Sequence, residues 1–107
     1  MNKQQKVVFR WWEGAVIALF PEEPADYAGY DCESYMHVGQ HGASSDVEIV
    51  RNSRPATPDE YAGLKRELER LGYRLEVRQR ITRQMFQQRR ATAAYYRTAA
   101  VQKATQR

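Results

Sequence analysis

The sequence has no long apolar run, and it contains a single cysteine among its 107 residues. The longest uninterrupted apolar stretch, residues 15–20, has six residues, whereas a membrane-spanning helix needs ~20. Cys32 has no second cysteine with which to form a disulfide within the chain, which favours a reducing compartment. The first residues, MNKQQK, lack the apolar segment of a signal peptide. We therefore expect a cytoplasmic protein that makes no contact with a membrane.

Acidic side chains are missing from the last part of the chain. Residues 77–107 contain eight lysines and arginines and no acid, which gives a charge of +8. The preceding residues contain nine basic and thirteen acidic side chains, which gives −4. A basic arm beside a mildly acidic body is typical of proteins that bind nucleic acid or an acidic protein. A solvated tail that only maintains solubility is the alternative interpretation.

The sequence also lacks recognised motifs for cofactors and metals. Its glycines fit neither GxGxxG nor a Walker pattern, and it has no RNP aromatic signature and no zinc-finger spacing. Cys32, His37 and His41 could bind a metal with Asp31 or Asp46 as a further ligand, but the usual Cys-x-x-Cys half-site is absent. We therefore expect no metal and no cofactor.

Catalytic residue types occur together between positions 37 and 46 without a catalytic pattern. The members of a serine triad are all present there, as His37, His41, Ser44, Ser45 and Asp46, but no Gly-x-Ser-x-Gly elbow accompanies them. A histidine could also act as acid or base in nucleic-acid cleavage, with Arg51 or Arg54 holding phosphate. The simpler interpretation of the GQHG segment is a turn governed by glycine. We therefore expect that the protein is not an enzyme.

The clearest structural pattern predicts a capped α-helix after position 57. Thr57 and Glu60 have the spacing of a capping box, and Pro58 falls at the first helical position. Apolar residues then recur every three or four positions and share one face, namely Tyr61, Leu64, Leu68 and Leu71. Gly72 suits the left-handed residue that ends a helix.

Five segments have the composition or the alternation of strands. They are residues 6–12, 15–20, 35–38, 47–52 and 73–80. Glu13 and Gly14 predict a tight turn between the first two, and alternation in the third places Met36 inward and Tyr35 outward. The order β-β-β-β-α-β predicts an α+β fold, with a small antiparallel sheet of four to five strands and one helix packed on it.

Residues 81–107 contain no glycine or proline and are rich in good helix formers. We expect them to form a basic helical extension of an α+β domain at residues 1–80, helical to about Arg97 and frayed after about Ala100. The side with Ile81, Met85 and Tyr95 should dock on the body or on a second copy, so that a homodimer is one outcome. Three arginines that recur every seven residues should then face outward, namely Arg83, Arg90 and Arg97.

Three strings of residues point to a relationship with known proteins. ALFPE, SYMHVGQHG and PATPDEY, the last followed by LKRELERLGY, are similar to segments of short uncharacterised proteins carried by bacterial phages and conjugative mobile elements. The resemblance covers about residues 8–80. It implies a bacterial, cytoplasmic, mobile-element setting and no particular activity, and the basic arm lies outside it.

Two functional hypotheses of different classes follow. The first is a non-enzymatic nucleic-acid-binding accessory protein of a mobile element, in which arginines contact phosphates and rings stack on bases. Its contact residues would be Arg78, Arg80, Arg83, Arg89, Arg90, Tyr95, Tyr96 and Arg97. The alternative is a protein-binding module that inhibits a host defence or regulatory protein, with an interface of Trp12, Tyr27, Tyr30, Tyr35, His37 and His41. In that case the acidic loop at residues 21–34 could mimic nucleic-acid charge, and in either case it could shield the basic arm.

Overall fold

The computed structural model of the chain describes residues 4–37 and 40–105. The strands are β1 (Gln4–Trp12), β2 (Ala15–Pro24), β3 (Cys32–Met36), β4 (Gln40–Ser44), β5 (Arg54–Pro55) and β6 (Arg74–Val77). The helices are α1 (Asp46–Arg51), α2 (Pro58–Arg70) and α3 (Arg83–Thr105). The predicted class is confirmed: the fold is α+β, with an antiparallel sheet, packed helices and a C-terminal helix.

The sheet is built outward from the hairpin of β1 and β2. Its order is β4-β3-β2-β1-β5 with antiparallel neighbours, and β6 pairs in parallel with the first half of β1. The hairpin turns at Glu13 and Gly14, whose φ angles of 51° and 79° are both left-handed. A two-residue hairpin turn of this kind requires positive φ at both positions, so the predicted tight turn is confirmed.

One face of the sheet is covered by α2. Phe9 of β1 packs in a buried cluster with Leu64 and Leu68 of the predicted apolar face, and its ring stacks on Tyr61 with the centroids 4.4 Å apart. Tyr35 is buried in the same cluster, so its predicted outward orientation is wrong. Helices cover both faces of this sheet, and strand alternation therefore does not distinguish a buried side from an exposed one.

The opposite face of the sheet is covered by α1 and α3. Its buried cluster contains Ile17, Leu19, Cys32 and Ile49, with Ile81 packed against it. The buried residues of α3 recur every four positions, at Met85, Arg89 and Ala93. Tyr95 was predicted on the docked side of this helix but is exposed, and the helix continues to Thr105.

The predicted strand at residues 47–52 is wrong, because this segment forms α1. Ser45 caps the helix, with its Oγ accepting a hydrogen bond from the Glu48 N–H, and of its apolar residues only Ile49 is buried. Six residues with alternating polarity are too few to separate a strand from a short helix. The fourth strand is instead β4, which the glycines of GQHG had predicted to be a loop.

The predicted capping box at the start of α2 is confirmed. Thr57 Oγ1 accepts from the Glu60 N–H at 3.3 Å, and Glu60 Oε1 accepts from the Thr57 N–H at 2.9 Å. Arg54 donates to both oxygens of Glu60, at 2.8 and 2.6 Å. These hydrogen bonds lower the pKa of the Glu60 carboxyl to about 2, and the main cause is the hydrogen bonding of Arg54.

We expect this carboxylate to make the fold sensitive to acid. The pKa of Glu60 is lower in the folded than in the unfolded chain. The stabilisation of the fold by this carboxylate is therefore complete above about pH 4.5 and is lost as the pH falls towards about 2. Glu60→Gln should therefore reduce the fall in melting temperature over that interval, as followed by circular dichroism. Glu69→Gln, which removes a carboxylate at the other end of α2, is the control, and equal pH profiles for the two variants would contradict the expectation.

Candidate nucleic-acid interface

A fully buried arginine fixes α3 to the rest of the molecule. Arg89 donates to both carboxylate oxygens of Asp46, at 2.9 and 3.4 Å. Its other N–H groups donate to the carbonyls of Pro21, Gly29 and Tyr30, at 3.0, 2.9 and 3.0 Å. All five donors of the guanidinium are therefore used, as a buried arginine requires. This places Arg89 inside the protein, so it cannot belong to the nucleic-acid contact set in which the sequence placed it.

The loop between β2 and β3 lies directly against α3. Gly29 has a φ of +81°, and a Cβ at this position would come within 3.0 Å of the Ala93 Cβ and 3.1 Å of the Arg90 Cα. Only glycine meets both requirements. The Asp26 carboxylate accepts from the Gly29 N–H at 2.7 Å and helps to hold the turn. The acidic loop thus packs on the basic helix of its own chain.

Two tyrosines of this loop are each paired with an arginine of α3. The guanidinium carbon of Arg90 lies 5.2 Å from the Tyr30 ring centroid, and that of Arg97 lies 5.6 Å from Tyr27. Arg97 also donates to the Tyr27 carbonyl at 2.6 Å, and Arg90 is 5.9 Å from the ring of Phe86. Tyr27 and Tyr30 remain 72% and 58% exposed. The rings therefore hold the two guanidinium groups in place while both partners stay accessible to a ligand.

Arg83 continues this surface along the helix. It lines one groove with Arg90 and Arg97, together with Phe86 and Ala94, because residues seven apart lie on nearly the same side of an α-helix. Among the described residues, these three arginines form no ion pair with a carboxylate. We call the set formed by Tyr27, Tyr30, Arg83, Arg90 and Arg97 the arginine–tyrosine surface.

The remaining residues predicted to contact nucleic acid lie around this surface or away from it. Arg78 pairs with a carboxylate of β6, and Arg80 is exposed in the bend at residues 79–80, before α3. Tyr96 lines a cleft beside the loop. Tyr95 follows Arg90 by five residues, which places it about 140° around the helix. Tyr95 thus faces a different direction from the arginine–tyrosine surface.

The residues predicted for a protein interface are divided in the same way. Tyr35 is buried and is not available to a partner, whereas Trp12 is partly buried against the second core cluster and is only partly accessible. His37 is exposed, and the side chain of His41 lies outside the described part of the chain. The two loop tyrosines are exposed, and they belong to the arginine–tyrosine surface. Residues from the two predicted sets therefore form one surface.

The predicted sets did not include Phe86, Gly29 or Asp46, each of which helps to build this surface. Phe86 is the one phenylalanine in the basic arm, and that was a usable signal for a ring among arginines. The roles of Gly29 and Asp46 depend on contacts with α3 that are distant in the sequence. No local pattern could have shown them.

A second polar cluster joins the end of β3 to α2. The Tyr35 hydroxyl donates to Glu67, and His37 Nδ1 lies 2.8 Å from the other oxygen of the same carboxylate. The hydrogen bond from Tyr35 is the main reason that the pKa of Glu67 is lowered. Tyr35 is buried, and its hydrogen bond to the Glu67 carboxylate ties β3 to α2.

The serine-triad residue types do not meet in the part of the chain that the structure describes. Ser44 shares a hydrogen bond of 2.9 Å with Ser34, Ser45 caps α1, and Asp46 is bound by the buried arginine. Within residues 4–37 and 40–105, apart from the undescribed side chains, no group of three or more His, Cys, Asp or Glu could hold a metal ion.

Comparisons with protein-family models, with curated proteins and with solved structures found no match in any of the three. No helix in the described part of the chain is long and apolar enough to cross a membrane. The mobile-element setting remains a prediction of the sequence resemblance. A function for this protein therefore has to follow from the chemistry of its own surface.

Proposed function

We propose that the protein is a non-enzymatic nucleic-acid-binding accessory protein that contacts its ligand through the arginine–tyrosine surface. The observation that carries this proposal is the pairing of Arg90 and Arg97 with exposed tyrosine rings. The same two arginines line one groove with Arg83. Guanidinium groups bind phosphate through paired hydrogen bonds. Aromatic rings beside them supply faces on which bases stack.

The charge distribution supports the same proposal. Eight lysines and arginines follow Glu76, and no acid does. Asp46 neutralises Arg89 and Glu76 neutralises Arg78, which leaves six of these positive charges. The acidic loop meets α3 through backbone carbonyls and rings, as in the contacts of Arg89 and Arg97. We therefore expect binding that weakens steeply as salt is added, because phosphate contacts release counterions.

Removing the three arginines of the surface should weaken both affinity and salt dependence. Each phosphate contact contributes about 0.7–0.9 to the slope of log K against log salt. The variant Arg83→Gln/Arg90→Gln/Arg97→Gln should therefore lose up to about two to three units of slope. Fluorescence anisotropy with a labelled oligonucleotide at several salt concentrations measures both quantities. The full-length chain is required, because α3 covers the second core cluster and truncation after Arg80 would expose it.

The charge-matched control is Arg51→Gln/Arg66→Gln/Arg70→Gln, which removes three exposed arginines of α1 and α2. It lowers the net charge by the same amount and leaves the arginine–tyrosine surface intact. Equal losses of affinity in the two triple variants would show that net charge alone drives binding. A wild-type affinity that is indifferent to salt would also contradict the proposal.

A protein partner is the competing function, as expected of a module that inhibits a host defence or regulatory protein. The observation in its favour is the exposure of Tyr27 and Tyr30 beside arginines, since tyrosine and arginine dominate the binding energy of many protein interfaces. A pull-down from a bacterial host separates the two functions. A stoichiometric protein that survives nuclease treatment supports the module, whereas recovery of nucleic acid alone supports the proposed function.

A further inference from the structure

The arginine–tyrosine surface contains the same structural unit twice. In each unit, an arginine of α3 lies over the ring of a tyrosine from the β2–β3 loop, as Arg90 over Tyr30 and Arg97 over Tyr27. The two arginines are seven residues apart, which corresponds to about 10.5 Å along the helix. The loop runs in the direction opposite to the helix, since the earlier tyrosine pairs with the later arginine. The repeat therefore follows the helix axis.

Each unit offers two kinds of contact side by side. An arginine lies over each ring, yet more than half of each tyrosine remains open to solvent, so a base can reach the ring. The arginine is held in position by the ring, and Arg97 uses one nitrogen for the Tyr27 carbonyl. The remaining N–H groups of the guanidinium can reach a phosphate. One unit can thus bind one base and the backbone next to it.

We infer that the ligand of this surface is single-stranded nucleic acid, an inference that rests on the proposed function. Stacking on a protein ring requires a base whose face is free, and single strands provide such bases. Two units along one helix suit a strand that lies along the groove, with its bases directed to the loop tyrosines and its phosphates to Arg83, Arg90 and Arg97.

A duplex fits the same surface poorly. The bases of a duplex cover one another's faces, and a protein reads them through their edges in the grooves. A helix that enters the major groove must present its side chains freely, within a width of about 12 Å. In this protein the loop lies against the arginine side of α3, with Gly29 in close contact with Arg90. Arg90 and Arg97 would have to leave their rings to reach base edges.

Direct binding measurements with matched ligands test this inference. The probes are an oligonucleotide of mixed sequence and about 16 nucleotides, the upper end of site sizes for small single-strand-binding domains, and the duplex of the same sequence. The wild type should bind the single strand more tightly than the duplex. Tyr27→Leu and Tyr30→Leu should each weaken single-strand binding about 5- to 150-fold, the range expected for one lost stack. Leucine keeps apolar cover over the arginine and removes the aromatic ring, with its hydroxyl and its cation–π contact.

The salt dependence separates stacking from charge in these variants. Neither leucine variant removes a phosphate contact, so the slope of log K against log salt should equal that of the wild type. Tyr95→Leu is the matched control, because Tyr95 is an equally exposed tyrosine on the other flank of α3. Its affinity for the single strand should equal that of the wild type. Melting temperatures close to that of the wild type confirm that each variant is folded.

The outcomes distinguish this inference from the proposed function. Equal affinity for single strand and duplex, or equal losses for Tyr27→Leu and Tyr95→Leu, would overturn the inference while nucleic-acid binding stands. If neither oligonucleotide binds while the pull-down yields a nuclease-resistant protein partner, the proposed function itself fails. Tighter single-strand binding that is lost in Tyr27→Leu and Tyr30→Leu alone supports both.

Discussion

Arg89→Met should lower the free energy of unfolding by about 3–5 kcal/mol, the range found when one partner of a buried ion pair is removed. The substitution leaves the Asp46 carboxylate buried without its cation. It also removes the donors that bind the carbonyls of Pro21, Gly29 and Tyr30. Since small domains have about 5–15 kcal/mol of stability in total, a large share of the folded state would be lost. Urea denaturation measures the loss.

The native cysteine gives an independent measure of the same event. Burial is the main cause that raises the pKa of the Cys32 thiol to about 12, and thiolate is the reactive form. Labelling of Cys32 by a thiol reagent at neutral pH therefore requires opening of the core that α1 and α3 cover. Arg89→Met should label much faster than the wild type under native conditions.

Arg90→Met is the control for this experiment, since it changes the adjacent, exposed arginine. Exposed substitutions generally stay within about 0.5 kcal/mol of the wild type. A double-mutant cycle with Asp46→Asn isolates the pairwise term, and the double variant should lose less than the sum of the single losses. If Arg89→Met is as stable as Arg90→Met, the buried arginine does not hold α3 in the way that its contacts indicate.

Leu68→Ala should lower the free energy of unfolding by about 2–5 kcal/mol, the usual range for truncating a buried leucine. Leu68 is 0% exposed in the cluster between α2 and the sheet, beside Leu64 and Phe9. The loss combines the transfer free energy of the deleted atoms with the cavity that they leave. Thermal or urea unfolding followed by circular dichroism gives the value.

Leu71→Ala provides the matched control at the end of the same helix. The sequence pattern places Leu71 on the same face as Leu68, yet Leu71 is 57% exposed. Leu71→Ala should therefore lower the free energy of unfolding by well under half of the loss expected for Leu68→Ala. Similar losses at the two positions would mean that the end of α2 packs more closely on the sheet than its exposure indicates.

The basic arm shows what a charge pattern can predict and what it cannot. Its lack of acids and its helical composition predicted a basic helix with an outward stripe of arginines, and Arg83, Arg90 and Arg97 do line one groove of α3. The same pattern could not separate Arg89 from Arg90, which are neighbours in the sequence and identical in kind. The acceptors of Arg89 lie 43 to 68 residues earlier in the chain, so only the folded chain distinguishes the two.

The two candidate interfaces were predicted separately because their residues are far apart in the sequence. Tyr27 and Tyr30 belong to an acidic loop, whereas Arg90 and Arg97 belong to the basic arm. The structure brings them into contact because Gly29 allows the loop backbone to approach α3 closely. A contact of this kind depends on three-dimensional packing that no periodicity in the sequence reports.

Local patterns in the sequence were sufficient for the elements whose signals are local. The Thr57–Glu60 cap, the Gly72 stop and the Glu13–Gly14 turn each depend on neighbouring backbone groups within a few residues, and all were predicted. Tertiary structure alone decided that residues 46–51 form the helix α1, that Tyr35 faces the core and that Arg89 is buried. The reason is physical: burial and ion pairing join residues that are distant along the chain, and their free energies outweigh short-range preferences for strand, helix or solvent exposure.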